Sequence, residues 1–262
     1  MATVAATKSS SNGFGSYIFG YGSLICPHSR VLTAPTLAGK KATPVKIHHF
    51  QRQWSAPFGG WIAMGIIQQP GASCVGVLLP VDEEEIAQFD IRELGYDRVQ
   101  IPNEHVHQVD FLADNDNNDD SKEQEHYDHE HCYFRQQSND DNSSSEDAPA
   151  PTIWVYVQQD PESPSPDSPI VQSYVDIILR GCLSISQDFA REFLLTTEGW
   201  RRAHEGGGGG DVYWVDDRHD PLYPRAVPEY SQKNGPAIDQ LLEAHRPLEF
   251  SGRRPFVGSS TC

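Results

Sequence analysis

Basic residues are scarce in this chain: 20 lysines and arginines stand against 37 aspartates and glutamates among 262 residues, a formal charge of −17. That balance disfavours electrostatic binding to nucleic acid or anionic lipid. Apolar residues are also few, at 37%, so part of the length does no packing. No apolar run approaches the ~20 residues that span a bilayer. The first sixteen residues lack the apolar core of a signal peptide and the arginines of a transit peptide. Cysteine is sparse and odd in number, at Cys26, Cys74, Cys132, Cys182 and Cys262, with no C-x-x-C pair. This argues against a disulfide scaffold and fits a reducing compartment. The expectation is a soluble, cytoplasmic protein with neither nucleic-acid nor membrane partners.

What acidity there is belongs mostly to one segment. Twelve Asp and Glu residues lie between Asp114 and Asp147 with only Lys122 and Arg135 among them, a local balance of −10 that leaves −7 elsewhere. From 113 to 151 the sequence loses periodicity and nearly all aliphatics, which predicts a disordered insertion. Within it, "HYDHEHC" offers His126, His129, His131 and Cys132 as metal ligands. Metal ligands need a rigid frame and outer partners, so no metal and no cofactor is expected. The chain is read as a disordered N-terminus (1–16), the first part of one folded domain (17–112), the insertion (113–151), the rest of that domain with a helical region (152–230), and a C-terminal tail (231–262).

The first half reads as short strands. "SYIF" enters a glycine turn, and "TPVKIHHFQRQW" alternates with Val45, Ile47 and His49 on one parity. "WIAMGIIQ" and "CVGVLLPV" are near-continuous apolar runs, parted by Gln69-Pro70-Gly71. Asp82 with Glu85 predicts a capping box opening a short helix that buries Ile86 and Phe89. Val99, Ile101, Val109 and Phe111 then share a parity, and "TIWVYVQQ" is a further strand. A helix capped by Ser168, with Pro169 in its first turn, buries Val171, Tyr174, Val175, Ile178, Leu179 and Cys182. Another begins at Ser186 and carries Phe189, Phe193 and Leu194. The glycine run 206–210 lacks the G-K-[ST] ending of a phosphate loop, which removes nucleotide binding there.

Two stretches have chemistry to offer. In "FGYGSL" a turn at a strand end presents successive backbone N–H groups, a nest suited to a carboxylate or a developing oxyanion. The competing reading is a tight structural turn with Tyr21 packed inside. In "FDIRELGYDR", Glu93 is flanked by Ile91 and Leu94, and a carboxylate drawn into an apolar pocket has the raised pKa a general base needs. The competing reading is a solvated glutamate beside Arg92 at a helix end. Ser23 or Cys26 as a nucleophile, with His28, His48 or His49 as its base, has no supporting nucleophile signature.

Taken together, "FGYGSLI" (19–25), Arg52-Gln53-Trp54 and "FDIRELGY" (89–96) resemble the gamma-glutamylcyclotransferase-like superfamily, most closely its ChaC-type and plant or algal branches. The resemblance covers roughly 17–112 and 152–160. It departs at Gly95, where ChaC-type sequences show two glycines, at the acidic insertion, and through the C-terminal third, including "YWVDDRHDPLYPRA". It implies an α+β fold, a small mixed β-barrel with flanking helices. It also implies that Gly20, Tyr21, Gly22, Ser23 and Leu24 form the loop that holds a gamma-glutamyl carboxylate, with Glu93 as acid and base. Tyr156 resembles an aromatic residue that lines the family pocket. The implied activity is cyclisation of the gamma-glutamyl group of glutathione, or of a related small-molecule gamma-glutamyl substrate, to 5-oxoproline with release of an amine or dipeptide. A non-catalytic ligand- or protein-binding module of the same fold is the alternative.

Overall fold

A computed structural model describes residues 15–109, 150–202 and 210–256. The strand expected at "SYIF", β1 (Ser16–Gly20), sits between two others. A long hairpin follows: β2 (Thr43–Phe58) and β3 (Trp61–Val81) are antiparallel and turn at Gly59 and Gly60, whose φ angles of 56° and 90° suit glycine. β1 pairs antiparallel with β3 and parallel with a strand from beyond the insertion. Between β3 and that strand in sequence come a helix (Glu83–Arg92), β4 (Tyr96–Ile101) and β5 (Val106–Gln108); the partner itself is β6 (Thr152–Gln158).

The order across the sheet is β4-β6-β1-β3-β2-β5, with β8 (Thr197–Glu198) also pairing with β2. β4 and β5 thus lie at opposite ends of this path, yet only Pro102 and a 3-10 turn, Asn103–His105, separate them in sequence. Five residues of chain reach at most ~17 Å. The two ends must therefore approach each other, and the sheet curls into a half-barrel. A smaller sheet joins β7 (Ile170–Val171), β9 (Trp214–Asp216) and β10 (Arg254–Pro255).

Six helices complete the described residues: α1 (Pro27–Thr33), α2 (Glu83–Arg92), α3 (Gln172–Leu183), α4 (Gln187–Leu195), α5 (Pro228–His245) and α6 (Pro247–Ser251). Strand alternation divides the packing in two. Phe19, Ile47, Phe50, Cys74, Leu78, Ile101 and Val155 form a core built by strands alone, the inside of the curl. Ile18, Trp54, Val77 and Leu79 face the other way, against Tyr174, Phe189, Phe193 and Trp214. The α+β half-barrel with flanking helices is the fold expected from the resemblance. No helix among the described residues is long and apolar enough to cross a membrane.

Several local expectations are corrected. Gln69-Pro70-Gly71 does not divide two strands: β3 runs through it. The pairs His48–Ser73 and Phe50–Gln68 leave four residues of β3 opposite His49 alone, so the proline and glycine occupy an outward bulge. His49 takes φ 67° there and is exposed, which breaks the parity with Val45 and Ile47. The stretch expected to alternate from Val99 to Phe111 is two strands on opposite edges, with Phe111 outside the described residues. Ser168 does not cap α3; Ile170 and Val171 pair in a sheet first, and the helix starts at Gln172. Residues 231–256, expected as a tail, carry most of α5, with Ile238 and Leu242 buried, then α6 and β10. The capping box of Asp82 and Glu85 and the Ser186 cap on the Phe189 N–H are present as expected. The disorder expected in 1–16 and 113–151 falls, apart from 15–16 and 150–151, outside the described residues.

Candidate active site

Gly20 to Leu24 run from the end of β1 into a 3-10 turn, Ser23–Ile25, whose first bond joins the Ile25 N–H to the Gly22 carbonyl at 3.0 Å. The N–H groups of Ser23 and Leu24 come before that bond, and a helical turn leaves such leading donors without a partner inside it. Contacts explain the glycine spacing. A Cβ on Gly22 would stand 2.9 Å from the Tyr174 hydroxyl oxygen, and one on Gly20 would stand 3.0 Å from the Leu24 Cβ. Helix α3 packs tightly at Gly181, where a Cβ would lie 2.5 Å from the Cys26 nitrogen. Arg30 fixes the turn from α1, donating from Nε to the Leu24 carbonyl (3.1 Å) and from Nη2 to the Ile25 carbonyl (3.2 Å).

The Tyr21 hydroxyl donates to the Tyr156 carbonyl at 2.8 Å. Burial pushes its pKa well above the ordinary phenol value, Tyr96, Glu93 and Tyr174 add to the rise, and Arg92 opposes it. These residues therefore converge on one place. Glu93 closes the C-terminus of α2: its N–H donates to the Phe89 carbonyl at 2.8 Å, and its carbonyl receives the Tyr96 N–H at 3.0 Å across Gly95, which has φ 96°. The Glu93 Oε1 lies 3.2 Å from the Arg92 Nε. Burial raises the Glu93 carboxyl above its ordinary range, with Arg92 and then Arg225 opposing. Burial and the Glu93 charge together push Tyr96 up to about 12.

The desolvation of Glu93 does not come from its sequence neighbours. Ile91 is 72% exposed and Leu94 81% exposed, so the apolar flanks read from sequence point to solvent. The Glu93 charge acts instead on Tyr21, just past β1, and on Tyr96 at the start of β4. Tyr156 is buried, but its hydroxyl donates to Asp90 Oδ1 at 2.8 Å, and Asp90 also holds Arg98 at 2.7 Å. Tyr156 meets the loop through its carbonyl. Arg52 and Trp54 are structural: Arg52 donates to the carbonyls of Val75 and Phe193 and to the hydroxyls of Thr196 and Thr197, and its guanidinium lies 3.6 Å from the Phe193 ring centroid. Burial lowers its pKa to about 10.

The sequence reading missed a wall drawn from α3 and the C-terminal third. Tyr174 was placed on a buried face for packing alone, yet its hydroxyl meets the backbone of Ser23 and Met64. Its ring packs on Trp54 (5.9 Å), Trp61 (5.1 Å) and Tyr223 (4.8 Å). Tyr223 shares a 3.1 Å hydrogen bond with Ser29 Oγ and accepts one from Arg225 Nη1 at 3.2 Å. Asp217 anchors this segment to α3, accepting from the Ser173 N–H (2.7 Å), the Ser173 hydroxyl (2.5 Å) and the Leu222 N–H (2.8 Å). Burial raises the Asp217 pKa against those donors. No spacing signal in "DPLYPRA" could have revealed it.

His48 meets His107 of β5 edge to face at 4.8 Å, His49 meets His105 of the preceding turn at a tilt at 4.6 Å, and His28 is exposed. Among the described residues no group of three or more His, Cys, Asp and Glu is arranged to hold a metal. The cluster of His126, His129, His131 and Cys132 lies outside them. An open cleft elsewhere is lined by Asp216, Asp217, His219, Asp220 and residues 253–256.

No family model and no curated protein matches the chain. It is similar to the solved structures of an uncharacterized protein, loc79017, from Homo sapiens and of a gamma-glutamyl cyclotransferase, each at 13% identity and TM-score 0.44. The first similarity covers 76% of this chain and 95% of the other, the second 74% and 93%. YkqA from Bacillus subtilis is similar at 14% identity and TM-score 0.40, over 69% of this chain and 53% of that one.

Proposed function

We propose that the chain is a gamma-glutamyl cyclotransferase of the cytoplasm, converting the gamma-glutamyl group of glutathione or a related compound to 5-oxoproline. The observation that carries this reading is Glu93: a carboxylate whose pKa burial has raised, and whose charge acts on Tyr21 of the glycine loop. The substrate brings its own nucleophile. Its α-amine attacks the γ-carbonyl, a five-membered ring closes, and the bond from that carbonyl carbon to the leaving nitrogen breaks. Such a step needs orientation above all, and aligned groups reach effective molarities of ~10⁵ M or more. Glu93 takes the proton the α-amine must lose and returns it to the departing amine. The Ser23 and Leu24 N–H groups suit the negative charge, either the substrate carboxylate or the oxyanion of the tetrahedral intermediate. The scheme requires no metal and no coenzyme.

A binding module without catalysis is the second reading, and one observation favours it. The Tyr174 hydroxyl rests on the Ser23 backbone, in the space where a substrate group would take the loop's donors. One experiment decides between them. The purified protein is incubated with glutathione and with several gamma-glutamyl amino acids and amines, and 5-oxoproline is assayed. Turnover is expected, and Glu93→Gln is expected to lower it ~10²-fold or more. A parent protein that forms no 5-oxoproline, or a Glu93→Gln variant within a few-fold of it, would remove the cyclotransferase reading.

A further inference from the structure

We propose that Arg30 is the positioning residue of the glycine loop: its guanidinium heads two parallel hydrogen-bond relays that end at the Ser23 and Leu24 N–H groups and set them for a carboxylate or an oxyanion. That the anion belongs to a substrate rests on the function proposed above; the relays themselves do not depend on turnover.

The relays can be followed bond by bond. Arg30 Nε donates to the Leu24 carbonyl at 3.1 Å. The same peptide unit carries the Ile25 N–H, which donates to the Gly22 carbonyl at 3.0 Å. The Gly22 unit ends in the Ser23 N–H. In parallel, Arg30 Nη2 donates to the Ile25 carbonyl at 3.2 Å, and the Cys26 N–H of that unit donates to the Ser23 carbonyl at 3.2 Å. The Ser23 unit ends in the Leu24 N–H. Among the described residues every peptide bond is trans, so each N–H points away from the C=O of its own unit. With the Gly22 and Ser23 carbonyls tied to Ile25 and Cys26, the Ser23 and Leu24 N–H groups point the opposite way.

The arrangement does more than close a turn. A 3-10 turn closes by its own i to i+3 bonds, and nothing in it calls for a cation. Yet Arg30 is only 5% exposed, and burying a charge is costly. Its place is fixed locally: Arg30 lies four residues past Cys26 on α1, with its own N–H on the Cys26 carbonyl at 2.9 Å. An ionised donor makes a stronger hydrogen bond than a neutral one, and peptides bonded in series polarise one another. The charge on Arg30 thus reaches both N–H groups through two peptide units apiece, while the guanidinium itself stays buried. Only a planar fork does this, since Nε and Nη2 lie on one edge and take two carbonyls together. The Tyr174 hydroxyl oxygen rests against the Ser23 backbone, so an oxygen acceptor is what this end of the relay already meets.

The test reads binding and chemistry separately in the full-length protein. In a Glu93→Gln background, gamma-glutamyl-alanine and 4-aminobutyryl-alanine, which lacks the α-carboxylate, are titrated calorimetrically. If the loop holds the α-carboxylate, Arg30→Gln should weaken gamma-glutamyl-alanine ~10-fold or more, the scale of a charge-assisted bond, and leave the analogue unchanged. If it holds the oxyanion, neither affinity changes, and with Glu93 in place Arg30→Gln should lower kcat ~10-fold at constant KM. Arg30→Lys keeps the charge but loses the fork; it should recover part of either loss, and it serves if the glutamine variant does not fold. In the ligand-free lysine variant the Ser23 and Leu24 amide proton signals should move upfield as the donors lose polarisation. Equal weakening of both ligands, unmoved amide signals, or no change in either affinity and in kcat overturns the relays. A parent that forms no 5-oxoproline but tells the two ligands apart through Arg30 loses the reaction and keeps the relays. A parent that turns over while Arg30→Gln alters neither binding nor kcat does the reverse, and a parent that neither binds nor turns over loses both.

Discussion

Alanine at position 22 tests why the loop reads Gly-Tyr-Gly. The added Cβ would meet the Tyr174 hydroxyl oxygen at 2.9 Å and the Met64 Cβ at 3.4 Å. The second contact is ordinary packing, and the first is not. Tyr174 has little room to yield, because Trp54, Trp61 and Tyr223 bound its ring and the Ser23 and Met64 backbone holds its hydroxyl. Overpacking of this kind costs ~1–3 kcal/mol, and for a chain of this size each kcal/mol lowers Tm by ~2–4 °C. Gly181→Ala should cost more, since its Cβ would lie 2.5 and 2.6 Å from the Cys26 nitrogen and Cα, backbone atoms with no flexible end to move. Tyr174→Phe removes the clashing oxygen but leaves two backbone groups without it, at ~1 kcal/mol each. The Gly22→Ala/Tyr174→Phe double variant should therefore lose less than the two single variants combined, by ~1 kcal/mol or more. Urea melts of the four proteins measure that coupling. Additivity within ~0.5 kcal/mol would show that Tyr174 does not impose the glycine.

Four further outcomes are expected. Arg52→Met, which takes the guanidinium donors from the Val75 carbonyl, from the Thr196 and Thr197 hydroxyls and from the Phe193 carbonyl, leaving the last with the Thr197 hydroxyl, should cost ~2 kcal/mol or more by denaturant unfolding; a loss under ~1 kcal/mol would mean those groups find other partners. Tyr156→Phe breaks a bond to Asp90 and none to the loop, so turnover should stay within a few-fold while stability falls by ~1 kcal/mol; a hundredfold loss of turnover would make the hydroxyl part of the site. Because burial raises the Glu93 pKa, the native state binds this proton more tightly than the unfolded chain, and the carboxylate costs stability as pH rises through the folded pKa. Glu93→Gln should then gain Tm over the parent at pH 7–8 and lose that gain toward pH 4, and the parent's pH–rate profile should bend on the acid side, above an ordinary carboxyl pKa; a gain largest at low pH would reverse the sign. Asp217→Ala, which releases three donors between α3 and the segment before Arg225, should raise KM for gamma-glutamyl-alanine more than it lowers kcat, and a pure kcat loss would contradict that.

Local chemistry made much of the fold legible. The Asp82–Glu85 capping box and the Ser186 cap each depend on residues within a few positions of one another, and each is where expected. What failed was non-local. Pro70 and Gly71 look like a break, yet a long hairpin absorbs them as a bulge because the strands on either side stay paired. Val99 to Phe111 keeps one parity on paper, but Pro102 carries the chain from one end of the curled sheet to the other, a change that alternation cannot register. Ser168-Pro169 has the chemistry of a helix start, and pairing of Ile170–Val171 with β9 delays the helix past it.

The candidate site divides along the same line. The loop and Glu93 stand out as candidates because glycines and a carboxylate announce themselves in sequence, but the apolar flanks do not make Glu93's environment. Its apolar neighbours face solvent, and the groups its charge acts on are Tyr21 and Tyr96. A pKa is set by what packs around a group, and sequence adjacency is a poor guide to packing at a helix C-terminus, where successive side chains diverge by ~100°. The α3 and C-terminal wall was invisible for a further reason. Tyr174 and Tyr223 have the pattern of core residues and are core residues; their hydroxyls acquire meaning only when α3 brings one against the glycine loop and the Asp217 anchor brings the other beside Arg225. Residues that pack with one end and meet a ligand with the other cannot be separated from pure core by periodicity. The wall beside the glycine loop is built from such residues, so its chemistry has to be read from the assembled fold.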